Sequence, residues 1–162
     1  EEMENHGIEV RTRRSLVREK LLTMQSLWAS EVSEFRGQRV RLEASWQWPK
    51  PKQSPRPITL LGGGAGPILF DQIAELADGW MPIGIRGGIE DGMESVKAAC
   101  EKSGRDFESL SHTIFAPQPK LSHCENLIKL GFDDLAFSLP SVPEDEALPM
   151  LDQFAELAEQ LR

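Results

Sequence analysis

The clearest capacity for chemistry lies in the run Pro57-Ile58-Thr59-Leu60-Leu61-Gly62-Gly63-Gly64-Ala65-Gly66. Ile58 to Leu61 is an unbroken apolar run, the pattern of a parallel strand buried on both faces. It ends in glycines, whose missing Cβ lets main-chain N–H groups converge on an anion. Pro67 then suits the first turn of a helix, so unpaired N-terminal donors and the positive end of the helix dipole would point at the same spot. Gly62, Gly63, Gly64, Ala65 and Gly66 are therefore candidate phosphate-binding residues, against the plainer reading of a tight strand-to-helix turn. Arg86, in Met81-Pro82-Ile83-Gly84-Ile85-Arg86-Gly87-Gly88, is a candidate clamp for an anionic group of cofactor or substrate. The alternative is a solvated loop arginine.

Other chemistry-bearing residues are sparse. Cys100 and Cys124 fall on apolar helix faces with no Cys-x-x-Cys, and His6, His112 and His123 are scattered, so buried structural thiols and no metal site are expected. Glu144-Asp145-Glu146 reads as an acidic helix start favoured by the dipole. No catalytic acid or base can be named.

The elements that must position the glycine turn alternate. Ser15 to Ser30 reads as a helix with Val17, Leu21, Met24 and Trp28 on one inward stripe and Arg18, Glu19, Lys20 and Gln25 off it. Residues 35–57, with Trp46, Trp48 and prolines at 49, 51, 55 and 57, read as an irregular, extended insertion over the surface. Strands then follow at Ile58–Leu61, Gly79–Ile83, Ser111–Ala116 and Asp134–Leu139, with helices at Pro67–Ala77, along Ile89, Met93, Val96 and Cys100, and at Leu121–Leu130. A closing helix is expected to carry Leu148, Leu151, Phe154, Ala158 and Leu161 inward, with Pro149 in its first turn. This is an α/β pattern of four parallel βα units. Periodicity does not choose between a small doubly wound sheet and half of a barrel.

Composition narrows the class. The chain has 162 residues, 40% hydrophobic and 27% charged, as in ordinary globular domains. A net charge of -8 argues against a general nucleic-acid or anionic-membrane partner. No apolar stretch is long enough to span a bilayer and no basic-then-apolar leader is seen, so a cytoplasmic location is the expectation.

Taken in order, a set of short motifs goes beyond these general readings. They are Gly7 with Arg13-Arg14, Glu19 through Leu27-Trp28, Phe35-Arg36-Gly37, Pro49-Lys50-Pro51 and Pro55-Arg56-Pro57. They continue with Gly62-Gly63-Gly64, Ala77-Asp78-Gly79-Trp80, Gly104-Arg105-Asp106 and Gly131-Phe132-Asp133. The arrangement resembles the luciferase-like monooxygenase superfamily, especially bacterial members that use the deazaflavin coenzyme F-420. That family folds as a (β/α)8 TIM barrel, and the resemblance covers its C-terminal half, strands five to eight. It implies that residues 1–162 are a partial barrel domain, truncated at the front, from an oxidoreductase that passes hydride between F-420 and a small organic substrate. An FMN-dependent monooxygenase of the same fold is the close alternative. A phosphate-binding isomerase or aldolase barrel and a non-enzymatic half barrel are more distant ones.

The resemblance places Gly62, Gly63, Gly64, Ala65 and Gly66, with Ile83 and Gly84, beside the cofactor. It gives Asp78 and Trp80 scaffold roles at the start of a strand. Phe115, Pro117 and Ser138 are weaker pocket candidates at strand ends, Trp46 and Trp48 belong to a substrate-covering or contact insertion, and Gly104-Arg105-Asp106 ends a helix. Exposed strand edges make a homo-oligomer compatible with the reading.

Overall fold

The computed structural model describes residues 2–85 and 87–162. The chain divides into two compact units, Glu1–Ile58 and Thr59–Arg162.

The first unit contains a short helix α1 (Glu2–Asn5), a 3-10 turn (Val10–Thr12), helix α2 (Arg13–Ala29) and an antiparallel pair, β1 (Ser33–Arg36) with β2 (Arg41–Ser45). The expected helix is present, but its expected inward stripe is not. Val17 and Met24 are exposed, and the residues α2 buries are Glu19 and Thr23. Hydrogen bonding explains the exchange. The Glu19 carboxylate accepts the backbone N–H groups of Gln38 (3.0 Å), Arg39 (2.7 Å) and Val40 (2.8 Å), donors that the β1–β2 connection leaves without strand partners. The bond from Arg39 is the largest cause holding this carboxyl below the usual carboxylate range, with burial opposing it.

The segment read as an irregular insertion thus opens with a regular hairpin, and 46–59 after it lack helix and strand. Within it Lys50 donates through Nζ to the carbonyls of Leu27 and Ser30, satisfying acceptors at the C-terminal end of α2.

The second unit alternates strand and helix in the expected order. Its elements are β3 (Leu60–Gly62), α3 (Pro67–Leu76), β4 (Gly79–Met81), α4 (Ile89–Ser103), a 3-10 turn (Phe107–Ser109), β5 (Thr113–Phe115), α5 (Leu121–Lys129), β6 (Asp134–Ala136) and α6 (Glu144–Gln160). The strands are shorter than the apolar runs suggest. β3 pairs with β4 and β5 with β6, both parallel. The two pairs meet at a seam made by a parallel bridge between Ile83 and Phe115 and by bonds from Ser111 N–H to Asp78 O and Phe115 N–H to Pro82 O. Spatial order therefore follows chain order, β3-β4-β5-β6.

One face of this strand layer is closed by helices. Leu61, Trp80 and Ile114 point there and join Leu69, Phe70, Ile73, Val96, Cys100, Cys124 and Leu127 in the core. Each such side chain contributes about 1.5–3 kcal/mol by leaving water. Trp80 is 1% exposed and meets Phe70 edge-on at 5.4 Å. Both cysteines are buried and free, and burial pushes their thiols up, which leaves them unreactive.

The closing helix corrects the sequence reading. Only Leu157 of α6 is buried, Leu148, Leu151 and Ala158 are exposed, and Pro149 lies in the second turn rather than the first. Phe154 does find a partner, stacking on Phe137 at 5.0 Å.

The N-terminal ends of the strands carry a repeated clasp. Thr59 N–H donates to the Asp78 carboxylate at 2.7 Å while Asp78 N–H returns a bond to Thr59 O at 2.8 Å. His112 N–H likewise donates to the Asp133 carboxylate at 2.7 Å, and Asp133 N–H returns to His112 O at 2.9 Å. Each clasp fixes the register of one parallel pair. Gly79 follows from the same crowding, since a Cβ there would lie 1.7 Å from Ser111 O. Asp78-Gly79-Trp80 is thus a bonded, close-packed and buried scaffold element.

Candidate functional site

The C-terminal ends of the strands present the glycine turn. β3 stops at Gly62, the chain bends through Gly63 at φ 134°, and α3 starts with Pro67 at its first position. Leu69 and Phe70 donate to Gly66 O. Among the described residues, the N–H groups of Gly64, Ala65, Gly66 and Ile68 have no hydrogen-bond acceptor. They are main-chain donors at a helix N-terminus, the arrangement that binds anions.

The glycines divide by what surrounds them. A Cβ at Gly62 would come within 3.3 Å of Met81 O, whereas at Gly64 or Gly66 it would meet nothing within 4 Å. Gly66 is extended, at φ 176°, and Gly64 lies outside the left-handed region. A close contact accounts for Gly62 and backbone conformation for Gly63, while Gly64 and Gly66 border open space.

Gly63, Gly64 and Ala65 line a small concavity of about 20 Å³ together with Ile83, Gly88 and Ile89. Its described walls carry no charged side chain, so no carboxylate opposes an anion there. Ala65 also borders a separate open cleft of about 450 Å³ between α3 and α4, reached through Gly66, Phe70, Ser95 and Lys102. There Lys102 is paired with Asp71 at 3.2 Å.

The structure thus brings Gly63, Gly64, Ala65 and Ile83 around one concavity, while Gly62 lies just before it and Gly66 on the cleft side. Gly84 has a different setting. Its N–H donates to Phe115 O at 2.7 Å, and a Cβ there would approach Pro117 Cα to 2.7 Å, so the chain's own packing requires glycine. Arg86 lies outside the described residues. Phe115 is 42% exposed at the end of β5, Pro117 is buried against Gly84, and Ser138 is exposed beyond β6. Trp46 and Trp48 are exposed in the first unit, where Lys50 lies 5.6 Å from the Trp48 ring centre.

Two features at the strand ends are missed by the sequence reading. Ala116 adopts φ 52°, an uncommon conformation for a residue with a Cβ, at the end of β5 beside Gly84. His112, set aside as one of three scattered histidines, is 2% exposed and stacks on Phe107 at 5.2 Å. The only sequence signal for His112 is its position just before an apolar strand. Among the described residues no group of three His, Cys, Asp or Glu is placed to hold a metal, and no helix is long and apolar enough to cross a membrane.

Parallel strands in chain order with helices on one face define an α/β fold, and the glycine turn lies at the C-terminal ends of its strands. The luciferase-like monooxygenase family model matches residues 1–118, and the chain belongs to that family. An uncharacterized protein of Mycobacterium tuberculosis strain H37Rv is 29% identical over 157 residues, and one of Mycobacterium bovis matches equally. The match covers 96% of this chain and 54% of each relative, so the chain spans about half the length of the curated relatives it matches.

Among solved structures, the monooxygenase RslO1 of Streptomyces bottropensis superposes with a TM-score of 0.79 at 14% identity, covering 96% of this chain and 63% of that one. An F-420-dependent secondary alcohol dehydrogenase holding an F-420–acetone adduct gives 0.55 at 15% identity, covering 91% and 54%. The coenzyme F-420-dependent tetrahydromethanopterin reductase of Methanopyrus kandleri gives 0.52 at 20% identity, covering 64% and 30%. At these identities the likeness is one of fold.

Proposed function

We propose that residues 1–162 form a partial luciferase-like barrel domain, with the second unit as strands five to eight, and that the Gly64–Ile68 turn binds the phosphate of a flavin-type cofactor. The observation that carries the reading is that, among the described residues, the N–H groups of Gly64, Ala65, Gly66 and Ile68 have no acceptor, while a Cβ at Gly64 or Gly66 would meet nothing within 4 Å. A phosphate there would accept from these donors and lie at the positive end of α3. The sequential strand order supports the barrel, because a doubly wound sheet reverses its order at a switch point.

The family and its F-420-using structural neighbours support an oxidoreductase acting on a small organic molecule, with F-420 as the cofactor and FMN as the second choice. The bound cofactor supplies the hydride chemistry. This chain's part is to hold the phosphate through main-chain donors, to set the ring's position from that anchor, and to offer Ile83 as an apolar wall.

Amide NMR of the chain titrated with F-420 and separately with FMN tests the reading. The signals of Gly64, Ala65, Gly66 and Ile68 should move together and saturate with the preferred cofactor. Gly64→Asp places a negative side chain in the cradle without touching the fold and should weaken that binding at least tenfold. Saturable binding that leaves these amides unmoved, or an unchanged affinity in Gly64→Asp, would overturn the assignment.

A further inference from the structure

The glycine turn opens on two unequal spaces, and Ala65 borders both. Toward the strand ends, the concavity beside Ile83 holds about 20 Å³. One water needs roughly 10–15 Å³ of such space, so there is room for a water and none for a phosphate. Toward the helices, Ala65, Gly66 and Pro67 border the cleft between α3 and α4, whose volume of about 450 Å³ lies within the range of roughly 300–1,000 Å³ usual for small-molecule sites.

The cleft has a local cause. Its two walls are consecutive helices of the second unit, each packed on the strand layer. On α4, Ser95, Ala98, Ala99 and Lys102 share one face at helical spacing, and the first three are too short to fill the space over Phe70. Phe70 and Ala99 are buried, so the floor is apolar. The charged residues lining the cleft are Asp71 and Lys102, which pair at 3.2 Å with both side chains more than half exposed. Such a pair holds weakly, and Asp71 engages only one of the three donors of the ammonium.

These spaces bear on which phosphate fits. A terminal monoester such as FMN carries one organic substituent, whereas a diester such as F-420 continues beyond its phosphate into an arm bearing carboxylates. Resting on the reading of the turn as a phosphate site, we infer that its ligand is a phosphodiester, with the ring on the Ile83 side and the outer arm in the α3–α4 cleft. The arm lies over Phe70 and beside Ala98, and one of its carboxylates takes the remaining donors of Lys102. Asp71 competes for the same ammonium and so weakens the arm's hold.

Titration of the whole chain with F-420, and with the deazaflavin ribityl phosphate that lacks the outer arm, tests this by amide NMR. F-420 should bind at least about tenfold more tightly, and it alone should move the amides of Ala99 and Lys102. Ala98→Trp fills the cleft from an exposed position and should weaken F-420 by about tenfold while leaving the armless phosphate unchanged. Lys102→Gln should weaken F-420 about threefold, and Asp71→Asn should strengthen it by a similar factor. Circular dichroism checks that each variant is folded, and if Ala98→Trp is not, the two exposed positions decide. Equal affinity for the two ligands, or F-420 binding indifferent to these variants, would overturn the outer-arm inference and leave the phosphate assignment standing. Binding of neither ligand, or binding of both unaffected by Gly64→Asp, would overturn the phosphate assignment and this inference with it.

Discussion

The backbone N–H of Trp80 donates to Nδ1 of His112 at 3.2 Å, across the seam between β4 and β5. Neighbouring bonds at this seam run to main-chain carbonyls, from Ser111 to Asp78 and from Phe115 to Pro82. Here an imidazole takes the place of a ladder carbonyl. Because Nδ1 accepts, the neutral ring carries its proton on Nε2, which is buried without a partner among the described residues. Burial holds the His112 pKa below the ordinary imidazole value, with the Asp133 carboxylate opposing more weakly.

A pH dependence follows. The unfolded imidazole titrates near about 6.5, and the folded one lower, so the unfolded state binds more protons between the two values. The stability from neutral His112 is fully present above about 6.5 and is lost as pH falls from there through the folded pKa. Urea unfolding at several pH values should show this decline in the wild-type chain and a flatter profile in His112→Asn, which keeps an acceptor for Trp80. His112→Leu leaves that N–H buried and unpaired and should cost about 1–3 kcal/mol at pH 7.

The clasps make a second prediction. Asp78→Ala removes a charged acceptor from Thr59 N–H and should destabilise by about 1.5–3 kcal/mol, with Asp78→Asn losing less because an acceptor oxygen remains. Asp133→Ala should behave similarly at His112. Denaturant midpoints measure both, and an unchanged midpoint in Asp78→Ala would show that the carboxylate bond contributes little.

Two glycine variants separate packing from binding. Gly79→Ala drives a methyl into Ser111 O and should cost about 3 kcal/mol or more. Gly64→Ala meets open space and should stay within about 0.5 kcal/mol of wild type, while weakening cofactor binding if the phosphate lies where proposed. Thermal unfolding and titration of the two variants side by side give the comparison.

Glu19→Gln should loosen the first unit. A neutral amide accepts the loop donors less strongly than a carboxylate, so the amides of Gln38, Arg39 and Val40 should exchange faster. In the wild-type chain the Glu19 carboxyl is held low by those bonds, so its stabilisation is complete above the ordinary carboxylate range. It is lost as pH falls through the folded value, which the same amides would report.

The order of strands and helices was legible because apolar runs and helical stripes record local period, and the glycine-to-Pro67 junction announces a strand end and a helix start. Burial was less so. Val17 and Met24 form a proper stripe yet are exposed, since a stripe says which residues share a face and not whether anything covers it. Glu19 looked solvated because its partners are main-chain donors some 20 residues away, which leave no mark on side-chain pattern. His112 is similar, being valuable for an acceptor lone pair aimed at another strand. Of the candidate cofactor residues, Gly63, Gly64, Ala65 and Ile83 share a concavity, and Gly84 is explained by its contact with Pro117.

The Asp78 and Asp133 clasps lock each parallel pair at the end of the strands opposite the glycine turn. Register and the proposed phosphate contact thereby fall at different ends of the same short strands. Loops at the glycine end can be lengthened, shortened or exchanged without loosening register, which gives evolution a fixed frame on which new specificities can be tried.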